Sequence, residues 1–110
     1  MTAKLTTHIL DIANGRPAAG VKVELYRNGE LLATTTTNQD GRCSDPLLEA
    51  PEMFDDVCEL HFHIGDYFRS NGIDSPFLDV VPIRFRLTAR ESFHVPLVCS
   101  PWSYSTYRGS

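Results

Sequence analysis

The sequence predicts an all-β protein, an antiparallel β-sandwich with one short helix, and three observations carry that expectation. Apolar and polar residues alternate with a period of two through seven or eight short runs, the pattern of strands that turn one face to a core. Turn-forming residues separate these runs at regular spacing. Asn28-Gly29 lies between two β-prone runs, the strongest short hairpin signal, because both central residues of the favoured turn need positive φ. The length of 110 residues fits one domain, spanning 1–110, with a modest core.

The elements follow in order. Leu5 to Asp11 reads as a first strand, closed by the turn residues Asn14-Gly15-Arg16-Pro17. Val21 to Tyr26 alternates, and Leu31 to Thr37 follows the Asn-Gly turn. Gln39-Asp40-Gly41 is a further turn, and Arg42 sits just past it, entering a short edge-like segment before Pro46. Pro51 to Asp56 reads as loop. Val57 to Ile64 alternates again and puts Cys58, Leu60, Phe62 and Ile64 on one face. The helical candidate is Asp66 to Asn71, ended by Gly72. Ser75 to Pro82 reads as a loop with two prolines. Ile83 to Thr88, Ser92 to Cys99 and Ser103 onward complete the strands.

Composition excludes several functions. A formal net charge of -4 is the wrong sign for a nucleic-acid surface. No apolar run approaches the length that spans a bilayer. Met1-Thr2-Ala3-Lys4 leads into a strand pattern without an apolar leader, and cytoplasmic residence is the expectation. Cys43, Cys58 and Cys99 form no Cys-x-x-Cys pair and read as reduced packing residues.

Chemistry-bearing groups stand on strands rather than in loops. His8 shares a strand face with Thr6 and Leu10; His94 shares one with Ser92, Pro96 and Val98. Imidazoles near neutral pKa can activate water and shuttle a proton. Arginines such as Arg42 and Arg108 can hold a planar, oxygen-rich anion by bidentate hydrogen bonds. No Gly-x-Ser-x-Gly nucleophile motif is present. The set suits metal-free hydrolysis of a small anionic heterocycle. His61 and His63, with Glu59 on the same strand face, could approach a zinc site, but a solvated sheet face explains them better, and no metal or cofactor is expected.

The last residues, Tyr107-Arg108-Gly109-Ser110, are too specific to read as a frayed end. They resemble the C-terminal signature of the 5-hydroxyisourate hydrolases, the transthyretin-related enzymes of urate breakdown. The resemblance extends through Thr7-His8-Ile9-Leu10-Asp11, Gly15-Arg16-Pro17-Ala18, the turn Thr37-Asn38-Gln39-Asp40-Gly41-Arg42, and Tyr67-Phe68. It continues through Phe93-His94-Val95-Pro96-Leu97 and the whole of Ser100 to Ser110. Departures fall at Val98-Cys99 and Trp102-Ser103, away from the ionisable groups.

That resemblance implies a transthyretin-like sandwich of two four-stranded sheets. It implies a homotetramer, a dimer of dimers, with active sites at the dimer–dimer interface. It implies opening of the pyrimidine ring of 5-hydroxyisourate by amide hydrolysis, giving a ureidoimidazoline. Carried over by motif, His8 and His94 would orient and deprotonate water, in an order left open, and Ser110 would orient one of these groups. Arg42 and Arg108 would bind substrate and stabilise developing charge, Tyr107 would shape the pocket, and Gly109 would permit close backbone approach. The alternative is a transthyretin-like small-ligand carrier without catalysis. A carrier of apolar hormone has little need of two histidines and two arginines on one face.

Overall fold

The computed structural model describes residues 2–109, which form two packed sheets and one helix. The first sheet runs in the order β2-β1-β8-β9, comprising Arg16–Pro17, Lys4–Asp11, Phe93–Cys99 and Tyr104–Thr106. A two-residue strand β5, Leu48–Glu49, also pairs with β1. The second sheet runs β4-β3-β6-β7, comprising Glu30–Thr36, Lys22–Arg27, Asp56–His63 and Val80–Leu87. The turn between β3 and β4 takes positive φ at Asn28 (51°) and Gly29 (79°), as a two-residue hairpin loop requires.

Alternation builds the core directly. Along β1, Leu5, Thr7, Ile9 and Asp11 turn inward, while Thr6, His8 and Leu10 stay half-buried on the outer side. Cys58, Leu60 and Phe62 of β6 point inward with Val23 and Leu25 of β3 and Leu97 of β8. Burial at this level contributes roughly 1.5–3 kcal/mol per large apolar side chain, so a polar group facing inward needs compensation. Thr7 donates its hydroxyl to the Val95 carbonyl at 2.7 Å. Fully buried Asp11 accepts from the Tyr67 hydroxyl at 2.7 Å and the Asn14 side chain at 2.6 Å. Burial pushes the Asp11 carboxyl up, but these bonds outweigh it and leave it below its ordinary value.

The helix, α1, spans Ile64–Ser70 and closes one end of the sandwich. It starts two residues before the expected Asp66 because Ile64 serves both patterns. Ile64 is the next inward residue of β6 and the first of a buried Ile64, Tyr67, Phe68 stripe. Its end is a Schellman turn: Gly72 N–H reaches the Arg69 carbonyl and Ile73 N–H the Phe68 carbonyl, both at 3.0 Å.

The sandwich differs in detail from a purely antiparallel pair of four-stranded sheets. β1 and β8 run parallel, with Thr6 opposite His94 and His8 opposite Pro96. Alternation marks faces, not strand direction, so it carries no sign of this. β2 and β5 are two-residue pairings, too short to show a period, and β5 makes the first sheet five-stranded. β7 begins at Val80 and runs through Pro82, where a loop was expected. It is an edge strand, and an edge tolerates a residue without an N–H. Arg42 lies in an isolated antiparallel bridge with His8 rather than in a strand.

Candidate active site

The outer face of the first sheet holds the candidate site. Three segments meet there: the outward residues of β1 and β8, the turn carrying Arg42, and the chain after β9. They enclose an open recess of about 480 Å³ lined by Lys4, Thr6, Arg42, Ser92, Phe93, His94, Tyr107 and Gly109.

Arg42 is delivered by a tightly bonded turn. The Asn38 side-chain oxygen accepts the N–H of Asp40 at 2.9 Å and of Arg42 at 3.2 Å. The Asn38 N–H donates to the Arg42 carbonyl at 2.8 Å, and the Gly41 N–H to the Asn38 carbonyl at 2.9 Å. Gly41 (φ 73°) then passes so close to β1 that a Cβ would stand 2.5 Å from the Ile9 carbonyl oxygen. The Ile9 N–H donates to the Gly41 carbonyl at 2.9 Å, which docks the turn on β1 beside His8.

His94 is held on two sides. Its Nδ1 lies 2.9 Å from the Thr6 hydroxyl. Gly109 bridges it from the other side, donating its N–H to the His94 carbonyl at 2.7 Å. A Cβ at Gly109 would lie 2.6 Å from His94 Cδ2, so any larger residue would displace the ring.

Electrostatics favour neutral imidazoles. Burial, then the Arg42 charge, lowers the His8 pKa below its ordinary value, against a smaller opposing pull from the Asp40 carbonyl and carboxylate. Burial, Arg42 and His8 lower the His94 pKa likewise. Among the described residues no carboxylate pairs with either ring. Two neutral rings beside a guanidinium can move a proton while the cation holds an anion.

The nominated residues divide. His8, Arg42, His94, Tyr107 and Gly109 gather on this face. Arg108 is turned aside: its guanidinium stacks on Phe93 at 4.2 Å and donates to Glu91 and the Ser92 carbonyl, each at 3.3 Å. Ser110 lies outside the described residues. Thr6 and Lys4, not nominated from the sequence, also line the recess. Their signal was the parity of β1, which puts both on the His8 face.

A second cleft of about 510 Å³, lined in part by Tyr26, Glu59, His61 and Arg84, opens on the outer face of the other sheet. There each imidazole is already bonded to a carboxylate, His61 to Glu59 at 2.8 Å and His63 to Glu24 at 2.5 Å. Among the described residues no group of three or more His, Cys, Asp or Glu side chains is placed to hold a metal ion. Cys58 and Cys99 are buried, which pushes their thiols to about 11 and about 12 and leaves them unreactive.

Comparison with known proteins bears on this geometry. Residues 5–109 match the model of the HIUase/Transthyretin family. A curated relative from Halalkalibacterium halodurans, named 5-hydroxyisourate hydrolase, is 51% identical across 100% of both chains. The Klebsiella pneumoniae 5-hydroxyisourate hydrolase structure superposes with a TM-score of 0.87 at 39% identity, covering 98% of this chain and 99% of that one. An (S)-allantoin synthase structure gives a TM-score of 0.93 at 40% identity; it covers 99% of this chain, which spans only 44% of that longer one.

Proposed function

We infer that this chain, which belongs to the HIUase/Transthyretin family, is a 5-hydroxyisourate hydrolase. The observation that carries this is identity of about half along the full length of proteins bearing that name. The recess supports it, because its chemistry is that of a proton-transfer site and not of a greasy slot.

The reaction we propose needs no group beyond the chain's own. Water attacks a ring carbonyl of the bound heterocycle, and one imidazole takes its proton as the C–O bond forms. Arg42 faces the developing oxyanion, a placement that stabilises charge most in the transition state. The C–N bond then breaks as the imidazolium so formed returns that proton to the departing nitrogen, while the N–H of the other imidazole hydrogen-bonds the reacting group. Tyr107 walls the recess, and Gly109 lets the chain lie against His94. Arg108 would serve the substrate only after leaving Glu91, and Ser110 is proposed to orient one of the reacting groups.

We also propose a homotetramer, a dimer of dimers that closes this recess between copies. An exposed aromatic side chain on the recess supports that reading: Tyr107, which lines it, is 60% exposed in the single chain. Exposed aromatic residues are enriched at interfaces. No described helix is long and apolar enough to cross a membrane. The cytoplasm is the compartment we propose, since three unpaired cysteines suit reducing conditions.

The test is the ultraviolet decay of freshly generated 5-hydroxyisourate, with and without the untagged chain, above the spontaneous background. Acceleration proportional to enzyme and indifferent to chelator is expected. A folded, assembled chain that leaves the background unchanged would remove the catalytic assignment.

A further inference from the structure

We propose that Thr6 is a positioning residue that fixes His94 in one tautomer, with Nδ1 accepting the threonine proton and Nε2–H facing the recess. This deepens the hydrolase reading of the same site and rests on it.

The register supplies the pair. β1 and β8 are parallel with Thr6 directly opposite His94, so both side chains stand on the outer face as neighbours. The contact is direct, Thr6 Oγ1 to His94 Nδ1 at 2.9 Å. On the opposite edge of the ring Gly109 leaves no room for a Cβ, which would stand 2.6 Å from Cδ2. Nδ1 and Cδ2 are the two ring atoms bonded to Cγ. Contact at both edges limits the swing of the ring, and we place its far end, Nε2 and Cε1, toward the recess that His94 lines.

Proton counting picks the tautomer. A hydroxyl has one proton, and a neutral imidazole has one N–H and one lone pair. Among the described residues neither Thr6 Oγ1 nor His94 Nδ1 has another hydrogen-bond partner. If Nδ1 carried the proton it would take a threonine lone pair and leave the threonine proton with no partner among the described residues. If threonine donates, both atoms are satisfied and the N–H is presented where substrate would sit. Burial and the neighbouring Arg42 and His8 favour the neutral ring, so the choice of tautomer matters at neutral pH.

The consequence is a division of labour. An Nε2–H can hydrogen-bond to an oxyanion or to a departing nitrogen but cannot take a proton from water, so the proton that water loses and the departing nitrogen gains passes through His8. His94 is then the hydrogen-bond donor of the site, and Thr6 selects that role through its bond to Nδ1.

Two-bond proton–nitrogen NMR of the ¹⁵N-labelled chain, with kinetics of Thr6→Val and Thr6→Ser, tests this. The wild type should show His94 with an unprotonated Nδ1 and a protonated Nε2. Thr6→Ser should keep that signature and most of the turnover. Thr6→Val should mix the tautomers and lower kcat by about tenfold or more with a smaller change in KM. A protonated Nδ1 in the wild type would overturn the proposal, as would wild-type kcat in a folded Thr6→Val. If Thr6→Val does not fold, the wild-type spectrum still decides. If the wild type does not hydrolyse 5-hydroxyisourate, the hydrolase reading fails while the tautomer remains measurable.

Discussion

Each sheet of this sandwich presents two histidines on its outer face, and the two pairs are held in opposite ways. On the second sheet His61 and His63 are bonded to Glu59 and Glu24. On the first, His8 and His94 have no carboxylate partner among the described residues; they stand beside Arg42 and touch a backbone turn, a threonine and a glycine. A carboxylate bonded to an imidazole occupies a nitrogen that would otherwise exchange a proton. A cation and partial burial favour the neutral ring, ready to exchange a proton. The two clefts are of similar size, about 510 and 480 Å³, so volume does not tell them apart. The partners of the imidazoles do.

The largest effect should separate the faces outright. Replacing His8 or His94 by Asn removes a proton-transfer group and should lower kcat by roughly 10²–10⁴-fold. The folded chain should survive, since both rings are outside the core. His61→Asn and His63→Asn should leave kcat within about threefold, because both stand on the other sheet, away from the recess. Steady-state kinetics on the four variants, with circular dichroism to verify folding, makes the comparison. Equal losses on both faces would break it.

Gly109→Ala comes next. The new methyl would meet His94 Cδ2 at 2.6 Å, and the ring must yield because the Gly109 N–H is bonded to the His94 carbonyl. Displacement of a reacting group by about 1 Å can cost about 10²-fold. We expect a fall of that order or less in kcat, without loss of thermal stability. Alanine in a polar loop of the other face, at Gly29, should instead act through its positive φ and affect stability, not turnover.

How far the sequence reaches differs between fold and site, for a physical reason. The period of two along β1 and β6 gives the inward residues Leu5, Ile9, Cys58, Leu60 and Phe62 directly, because burial acts on every second residue. Asn28-Gly29 gives its turn because only few residues tolerate that backbone. The site has no such local signature. His8 and His94 are far apart in sequence and come together only through a parallel pairing that alternation does not encode. Thr6 shares their face by parity, but only the register of β1 on β8 puts it against Nδ1. Motif resemblance nominated Arg42 and Arg108 alike; the turn around Asn38 directs the first to the recess, while Glu91 and Phe93 draw the second aside.

The smallest effect is a separation of the two faces by pH. His8 and His94 have folded pKa values below the ordinary 6.5, so the unfolded chain binds their protons more readily. Their contribution to stability is therefore whole above about pH 6.5 and is lost as pH falls below it toward the folded values. Glu24 is depressed chiefly by its hydrogen bond to His63, so its contribution is present above its ordinary 4.5 and fades only as pH falls through the still lower folded value. Thermal midpoints should thus begin to decline in a higher pH window because of the first sheet and in a lower one because of the second. His8→Asn with His94→Asn should flatten the upper decline, and Glu24→Gln the lower. The same depression should put the acid limb of kcat/KM below 6.5, and Arg42→Gln should move that limb upward by removing a charge that opposes protonation. A limb that stays in place in Arg42→Gln would mean that burial alone keeps the rings neutral, and the contrast between the faces would then be one of solvent access rather than of charge.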